Sequence, residues 1–447
     1  MDLKRTLSWQ DSASMMISSI VGSGIFISAG ALARDVGDPR LIMICWILGG
    51  LFAAAGAMSY AFPAVIFPKA GGDYIYLKEA YSPLVAFMSG WAALLANLSA
   101  NITVIALAFS SNFFDIFPEF KFELFHLNLK FLELSFGSAQ IIGILMIGFF
   151  TWVNIRGVER AVRLQNFFTL LKIGGLAVFV IAGFLFGNLN GGNFQSAVSS
   201  PLPANSFSLI LLGIVPVSFT YLGWNLVTYF AGEVKEPEKN IPKSIYAALG
   251  FVIILYASVN LLYLYSADMK VIAASEQVGL TSAEALFGKG LKMAFSAFVL
   301  WVLVGSVSAM MFGAPRLFYA MAKDGLFYES LAELHPKYGT PWKSVLVMGV
   351  YASLLLFVNS IYMLLYMITC AVLVLSILTA LTPFFLKRKG LNSDYKIPLY
   401  PLTPILFAVG NLIVIINLAV NYPSNAFWGI GITLTGIPAY YLFNRKW

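Results

Sequence analysis

Charge is scarce in this chain. Only 11% of its 447 residues are Asp, Glu, Lys or Arg, while 59% are hydrophobic and mean hydropathy is +0.82. A soluble domain carries about 25% charged residues, so a water-soluble globule is excluded and an integral membrane protein is implied. Cysteine is nearly missing. Cys45 and Cys370 both fall in apolar runs, which excludes a disulfide framework and a spaced thiolate metal set. Histidine is as rare, with His126 and His335 in separate polar joints. These four side chains assemble no catalytic or metal constellation, and no pair of acids lies at membrane depth. An intramembrane enzyme is therefore not expected, nor is a cofactor.

What the chain has instead is long apolar windows. A helix needs about 20 apolar residues to cross roughly 30 Å of hydrocarbon, and about twelve such windows recur. They cover 10–34, 41–67, 82–112, 137–155, 162–187, 207–232, 244–266, 291–322, 343–358, 361–386, 401–420 and 426–443. The start Met1-Asp2-Leu3-Lys4-Arg5 lacks the short apolar region and small-residue cleavage site of a secretory signal, so the first span is expected to stay attached. Positive residues accumulate in cytoplasmic loops. With the N-terminus inside, 20 Lys and Arg fall on that side against 7 on the other, with Lys172 within a span. Both termini are thus expected in the cytoplasm. The net charge of +7 follows from this bias and needs no nucleic acid.

Two windows are interrupted. Gly22-Ser23-Gly24 sits inside the first, where each glycine costs roughly 1 kcal/mol of helix stability relative to alanine. The segment Phe219-Thr220-Tyr221-Leu222-Gly223-Trp224-Asn225 interrupts the sixth. Close packing of helices is one use of such small residues. The other is opened backbone, tolerated at membrane depth only where it is buried in protein or lines a cavity. Interrupted segments in matching places of two halves point to a transporter binding site. The halves are residues 1–187 (five spans) and 207–390 (five more), joined by an uncharged external linker, 188–206, and followed by 391–447 with two spans. Five crossings per half give the second copy inverted topology.

Other polar groups inside spans are few. Asn97 and Asn101 share a helical face at i and i+4 and suit either interhelical hydrogen bonds or a cavity wall. Lys172 lies about ten residues past Arg163, on the order of 15 Å deep, where charge is costly and marks an ion or proton pathway unless the stem snorkels. The joint 112–135 mixes acids and lysines and is expected to hold local structure. The segment Pro68–Tyr74 is too glycine-rich to continue a helix and reads as a connecting loop or a gate. Arg316 and Asp324 bracket the end of the eighth span and suit interfacial anchoring or closure of an inner gate.

Four stretches together resemble the amino acid–polyamine–organocation (APC) superfamily of permeases, in particular its L-amino-acid-transporter-like members. They are Val21-Gly22-Ser23-Gly24-Ile25-Phe26; Phe219 to Asn225 followed by Gly232 to Lys243; Gly313-Ala314-Pro315-Arg316 through Gly325; and Gly339-Thr340-Pro341. The resemblance implies an all-α membrane protein with a 5+5 inverted repeat of the leucine-transporter type, spans 1 and 6 being interrupted. It implies that Ser23 with the amides of Gly22 and Gly24 holds a substrate carboxylate at a half-helix N-terminus. The carbonyls of Ile20 and of the second break near Phe219 and Leu222 would take the ammonium, Phe219 would be the lid, and Trp224 and Asn225 would shape the far wall. Lys172 matches a lysine placed where sodium-coupled relatives bind an ion, and it would bridge the opened first helix to Ser306.

Leu222 departs from the pattern, standing where many relatives carry glycine or serine, and its bulk favours small neutral amino acids. The external loop between spans 3 and 4 lacks the cysteine through which animal relatives attach a heavy chain. A self-sufficient, monomeric protein of a prokaryotic cell membrane is expected, moving amino acids by exchange or proton symport rather than with sodium. The alternatives are a polyamine or organic-cation permease, which an acid lining the pocket would favour and none within the spans supports, and a sensor that binds amino acids without moving them.

Overall fold

The computed structural model of the chain describes residues 3–129, 132–198, 201–358, 372–421 and 423–444. Its apolar windows become helices because every peptide group in hydrocarbon needs a partner within the protein. The first window splits in two: α1 (Trp9–Ile20) and α2 (Gly24–Asp35), with axes bent by 45°. A capping box starts α1, with the Ser8 amide donating to Asp11 at 2.9 Å and the Asp11 amide to the Ser8 hydroxyl at 3.2 Å. The next helix, α3 (Pro39–Ile66), opens on Pro39 where a missing N–H does no harm, and Asp38 caps the amides of Arg40 and Leu41.

The following segment holds a short helix, α4 (Asp73–Ala80), whose first two residues fall in the stretch that reads as a connecting loop or a gate. The third span is α5 (Pro83–Ala92), one π turn (Ala93–Asn97) and α6 (Leu98–Ile116). Asn101 donates its amide to the carbonyl and side chain of Asn97 at 3.0 and 3.1 Å. Those two amides thus partner each other within the helix. The mixed-charge joint folds as an antiparallel hairpin of β1 (Glu123–Leu129) and β2 (Leu132–Gly137). It leads into α7 (Ser138–Ile155) and α8 (Val158–Phe186), and the uncharged linker carries α9 (Gly192–Val198).

The second interrupted window is α10 (Ser206–Thr220) and the single turn α11 (Leu226–Tyr229). Then come α12 (Pro237–Ser266), α13 (Met269–Ala274), α14 (Val278–Phe287), α15 (Lys292–Gly313), α16 (Pro315–Lys323) and α17 (Trp342–Leu355). The chain ends with α18 (372–380), α19 (Thr382–Arg388), α20 (Leu402–Asn421) and α21 (Pro423–Asn444). The first part of the tenth expected span, with Cys370, lies outside the described residues. Among those described, six helices are long and apolar enough to cross a membrane, seven with the bent pair α1–α2, and shorter apolar helices add to them.

Helix α1 is the axis of the bundle. It packs against α8, α12 and α15, while α3 packs against α10, α12 and α20. The outer face of α8 presents Leu170, Val178, Ile181 and Leu185, apolar side chains suited to lipid. At the face carrying the N-terminus the bundle is closed by backbone pairing. The amides of Thr6 and Leu7 both donate to the Glu233 carbonyl at 2.9 Å, and Lys235 returns a bond to Leu7 at 2.9 Å. Beside them the Gly71 and Gly72 amides donate to the carbonyls of Tyr229 and Thr228 at 3.0 and 3.1 Å. Gly72 has φ of +57°, and a Cβ there would meet the Tyr229 ring at 2.8 Å. Only glycine satisfies both the conformation and the approach.

Candidate functional site

The two chain breaks lie against each other. A Cβ on Gly24 would run into the side chain of Thr220, the last residue of α10, and a Cβ on Gly223 would meet the backbone of Ser19 at 3.0 Å. The Tyr256 hydroxyl of α12 joins them, 2.9 Å from the Ile20 carbonyl and 3.2 Å from the Thr220 carbonyl. Its ring stands in a buried cluster with Trp46 and Tyr221, centroids 5.6 and 5.0 Å away.

On one side of this junction α2 begins without a cap. Ser23 makes no capping hydrogen bond. The amides of Gly22, Ser23 and Gly24 find no acceptor, and these three residues keep partial exposure within the bundle. Uncapped amides at a helix N-terminus carry partial positive charge and suit an anion. On the other side α10 stops. The Phe219 carbonyl accepts from the Leu222 amide at 3.2 Å and from the Tyr221 amide, and the Ile20 carbonyl accepts from Tyr256, which leaves Ile20 one lone pair. The Leu222 carbonyl accepts from no protein donor. Phe219, Leu222 and Trp224 line a cavity of about 30 Å³ with Phe52, Ser218 and Phe407. Trp224 packs edge-on against Tyr60 and Phe407 at centroid distances of 4.7 and 5.7 Å.

Lys172 is fully buried, and its Nζ donates to the carbonyls of Ser18 and Val21 at 2.9 and 2.7 Å and to the hydroxyls of Ser18 and Ser306 at 3.2 and 3.0 Å. The stem therefore does not snorkel. In an unbroken helix the Ser18 carbonyl would accept from the Gly22 amide; the break frees it, and the lysine fills the role. Ser306 lies 3.3 Å from each of the same carbonyls.

Beneath the second break, toward the N-terminal face, Asn225 adjoins a carboxyl that the sequence reading leaves in a loop. Asp73 begins α4, and the Tyr229 hydroxyl donates to its Oδ2 at 2.9 Å. Tyr60, Asn225 and Thr379 also turn polar groups toward it, and burial pushes its pKa up to about 6. The next layer is ionic. Asp324 takes a 2.7 Å ion pair from Lys78 and a 2.8 Å hydrogen bond from Tyr74. Arg316 and Glu233 form a 2.9 Å pair with exposures of 1% and 0%. Arg316 thus sits inside the bundle, tying α16 to the stretch before α12, rather than at an interface.

The structure gathers around the two breaks the ten residues expected to bind cargo or couple its movement. Ile20, Gly22, Ser23 and Gly24 lie at the first, Phe219, Leu222, Trp224 and Asn225 at the second, and Lys172 with Ser306 behind the first. Sequence reasoning missed Tyr256, which reads as one more aromatic in an apolar run. It also missed Asp73, whose only signal is an acid directly after two glycines. Among the described residues no group of three His, Cys, Asp or Glu can hold a metal.

Comparison with known proteins supplies the context for this geometry. The chain is 27% identical over 450 residues to the serine/threonine exchanger SteT of Bacillus subtilis (strain 168), covering 99% of this chain and 98% of that one. It is 29% identical to the mouse large neutral amino acids transporter small subunit 2, over 98% of this chain and 81% of the relative. It is 29% identical to the human cystine/glutamate transporter, over 99% and 85%. The family model described as amino acid permease matches residues 7–440, both breaks and every residue of the site included, and the chain belongs to that family.

Proposed function

We propose that the chain carries amino acids across the cell membrane by alternating access, as an exchanger or a proton-coupled symporter, with α1–α2 and α10–α11 holding the cargo. The observation that carries this reading is the meeting of the two breaks. Free amides at Gly22, Ser23 and Gly24 face one end of a zwitterion, and the Leu222 carbonyl with the spare lone pair of Ile20 faces the other. The relatives named as amino acid exchangers and transporters support the same cargo class. The bulk of Leu222 at the edge of the site favours small or neutral L-amino acids.

Phe219, partly exposed at the cavity it lines with Leu222, serves as the lid, and Trp224 forms the cavity wall, with Asn225 following beside Asp73 to shape the far end of the site. Lys172 acts as a fixed strut between α1 and α15, standing where a coupling ion would otherwise join them. The N-terminal face is cytoplasmic on the bias of Lys and Arg, and the two halves, 1–187 and 207–390, rock against each other around the site. The chain works as a monomer without a disulfide-linked heavy chain. The organic-cation alternative gains no support from Asp73, which does not line the cavity.

Liposomes holding the purified protein and preloaded with unlabelled amino acids test this with a labelled panel outside. Uptake that needs internal cargo means exchange, and uptake driven by an inward proton gradient means symport. Ser23→Trp is expected to abolish uptake with the folded, monodisperse protein retained. Full uptake in that variant removes the first break from the site.

A further inference from the structure

We propose that Asp73 is a proton-binding site of the cytoplasmic gate, holding a proton while the gate is shut and releasing it to the cytoplasm when residues 67–72 part from α11. This rests on the transport reading and on the cytoplasmic placement of the N-terminal face.

The geometry is that of a carboxyl sealed into a seam. Opening a path from the breaks to the N-terminal face requires the Gly71–Tyr229 and Gly72–Thr228 backbone bonds to separate. Asp73 is the next residue on one side of that seam, and its Oδ2 is held by Tyr229 from the other. Its Oδ1 is shut off from solvent and lacks a hydrogen-bond partner. A buried ionised oxygen without a donor is costly. Protonation removes the charge and turns the carboxyl into a donor, for which the Thr379 hydroxyl oxygen, whose own hydrogen goes to the Leu375 carbonyl at 3.0 Å, is an available acceptor.

Among the described residues no cation offsets the charge. The groups facing Asp73 are Tyr60 from α3, Tyr76 from its own helix, Tyr229 from α11, Asn225 from the break and Thr379 from α18. The basic side chains nearby are committed or solvated. Lys78 pairs with Asp324, Arg316 with Glu233, and Lys69 is exposed. Among the described residues no ion pair reaches Asp73.

The sign follows from linkage. Closure raises the carboxyl from its ordinary value of about 4 to about 6. A proton that binds the shut gate more tightly stabilises that state fully below about pH 4, and the contribution is lost as pH rises through about 6. The bias between shut and open reaches about 100-fold. The step itself is simple: hydronium gives its proton to Asp73 Oδ1 on closure, and water takes it back on opening.

Infrared difference spectra of the reconstituted full chain between about pH 7 and about pH 5 are expected to show a protonated-carboxyl stretch in the wild type. Asp73→Asn should lack that band, and Asp73→Glu should keep one at a shifted position. Exchange of a labelled amino acid should slow several-fold in the wild type as the internal pH falls over the same range, and the Asp73→Asn profile should be flat. An identical band and an identical pH profile in Asp73→Asn overturn the proposal. The spectra need no transport, so a protein that moves no amino acid fails the transport reading while this one is still decided.

Discussion

Lys172 brings an amine to the middle of the bundle, and its partners are all neutral oxygens of α1 and α15. The first break creates the demand for it, because carbonyls released by the missing turn need donors. A charged residue in an apolar run stands out in any sequence, so Lys172 was legible, and Ser306 was legible only through the resemblance. Tyr256 was not. Its ring belongs to the core, and only the folded chain shows that its hydroxyl spans Ile20 and Thr220. Asp73 was hidden by context, since a glycine-rich joint gives no hint of being folded back under α11. Lys172→Met keeps the stem and removes the donors. It is expected to lower transport at least about tenfold and to lower stability by about 1–3 kcal/mol for each carbonyl left unpaired, read by thermal unfolding and liposome uptake. Wild-type uptake in that variant would reduce the lysine to an anchor.

The elements were easier to read than their ends. Long apolar runs marked the spans, yet α12 begins at Pro237, seven residues before the apolar window that announced it, because its first turns are polar and hydropathy does not register them. The pair β1 and β2 was read only as a joint with some structure, although Phe125-His126-Leu127-Asn128-Leu129 and Leu132-Glu133-Leu134-Ser135-Phe136 alternate apolar and polar with the period of a strand. The breaks were marked by their glycines, and the structure separates what those glycines do. Gly24 is pressed against Thr220, whereas a Cβ on Gly22 would meet only the Ser306 hydroxyl at 3.7 Å, an ordinary contact. Gly24→Ala should therefore cost about 1–3 kcal/mol through overpacking, while Gly22→Ala should fold with near wild-type stability. Equal thermal stability of the two variants would mean that the breaks do not touch as described.

At the scale of the whole molecule, the bundle is shut toward its N-terminal face by three successive ties: the Leu7–Val234 pairing, the buried Arg316–Glu233 ion pair and the Asp324 cluster with Lys78 and Tyr74. The first and third join residues early in the chain to the stretch after the second break and to the end of α16, while the Arg316–Glu233 pair ties α16 to the stretch before α12. Hydropathy fixes how many times the chain crosses, but these ties depend on residues far apart in sequence, such as positions 78 and 324. The central claim is that two adjoining breaks grip the two ends of a zwitterion. An experimental density map of the reconstituted chain with a transported amino acid bound tests it most directly. The carboxylate is predicted within hydrogen-bonding distance of the amides of Gly22, Ser23 and Gly24, and the ammonium beside the carbonyls of Ile20 and Leu222. Density for the amino acid elsewhere, or α1 running unbroken into α2, would contradict it.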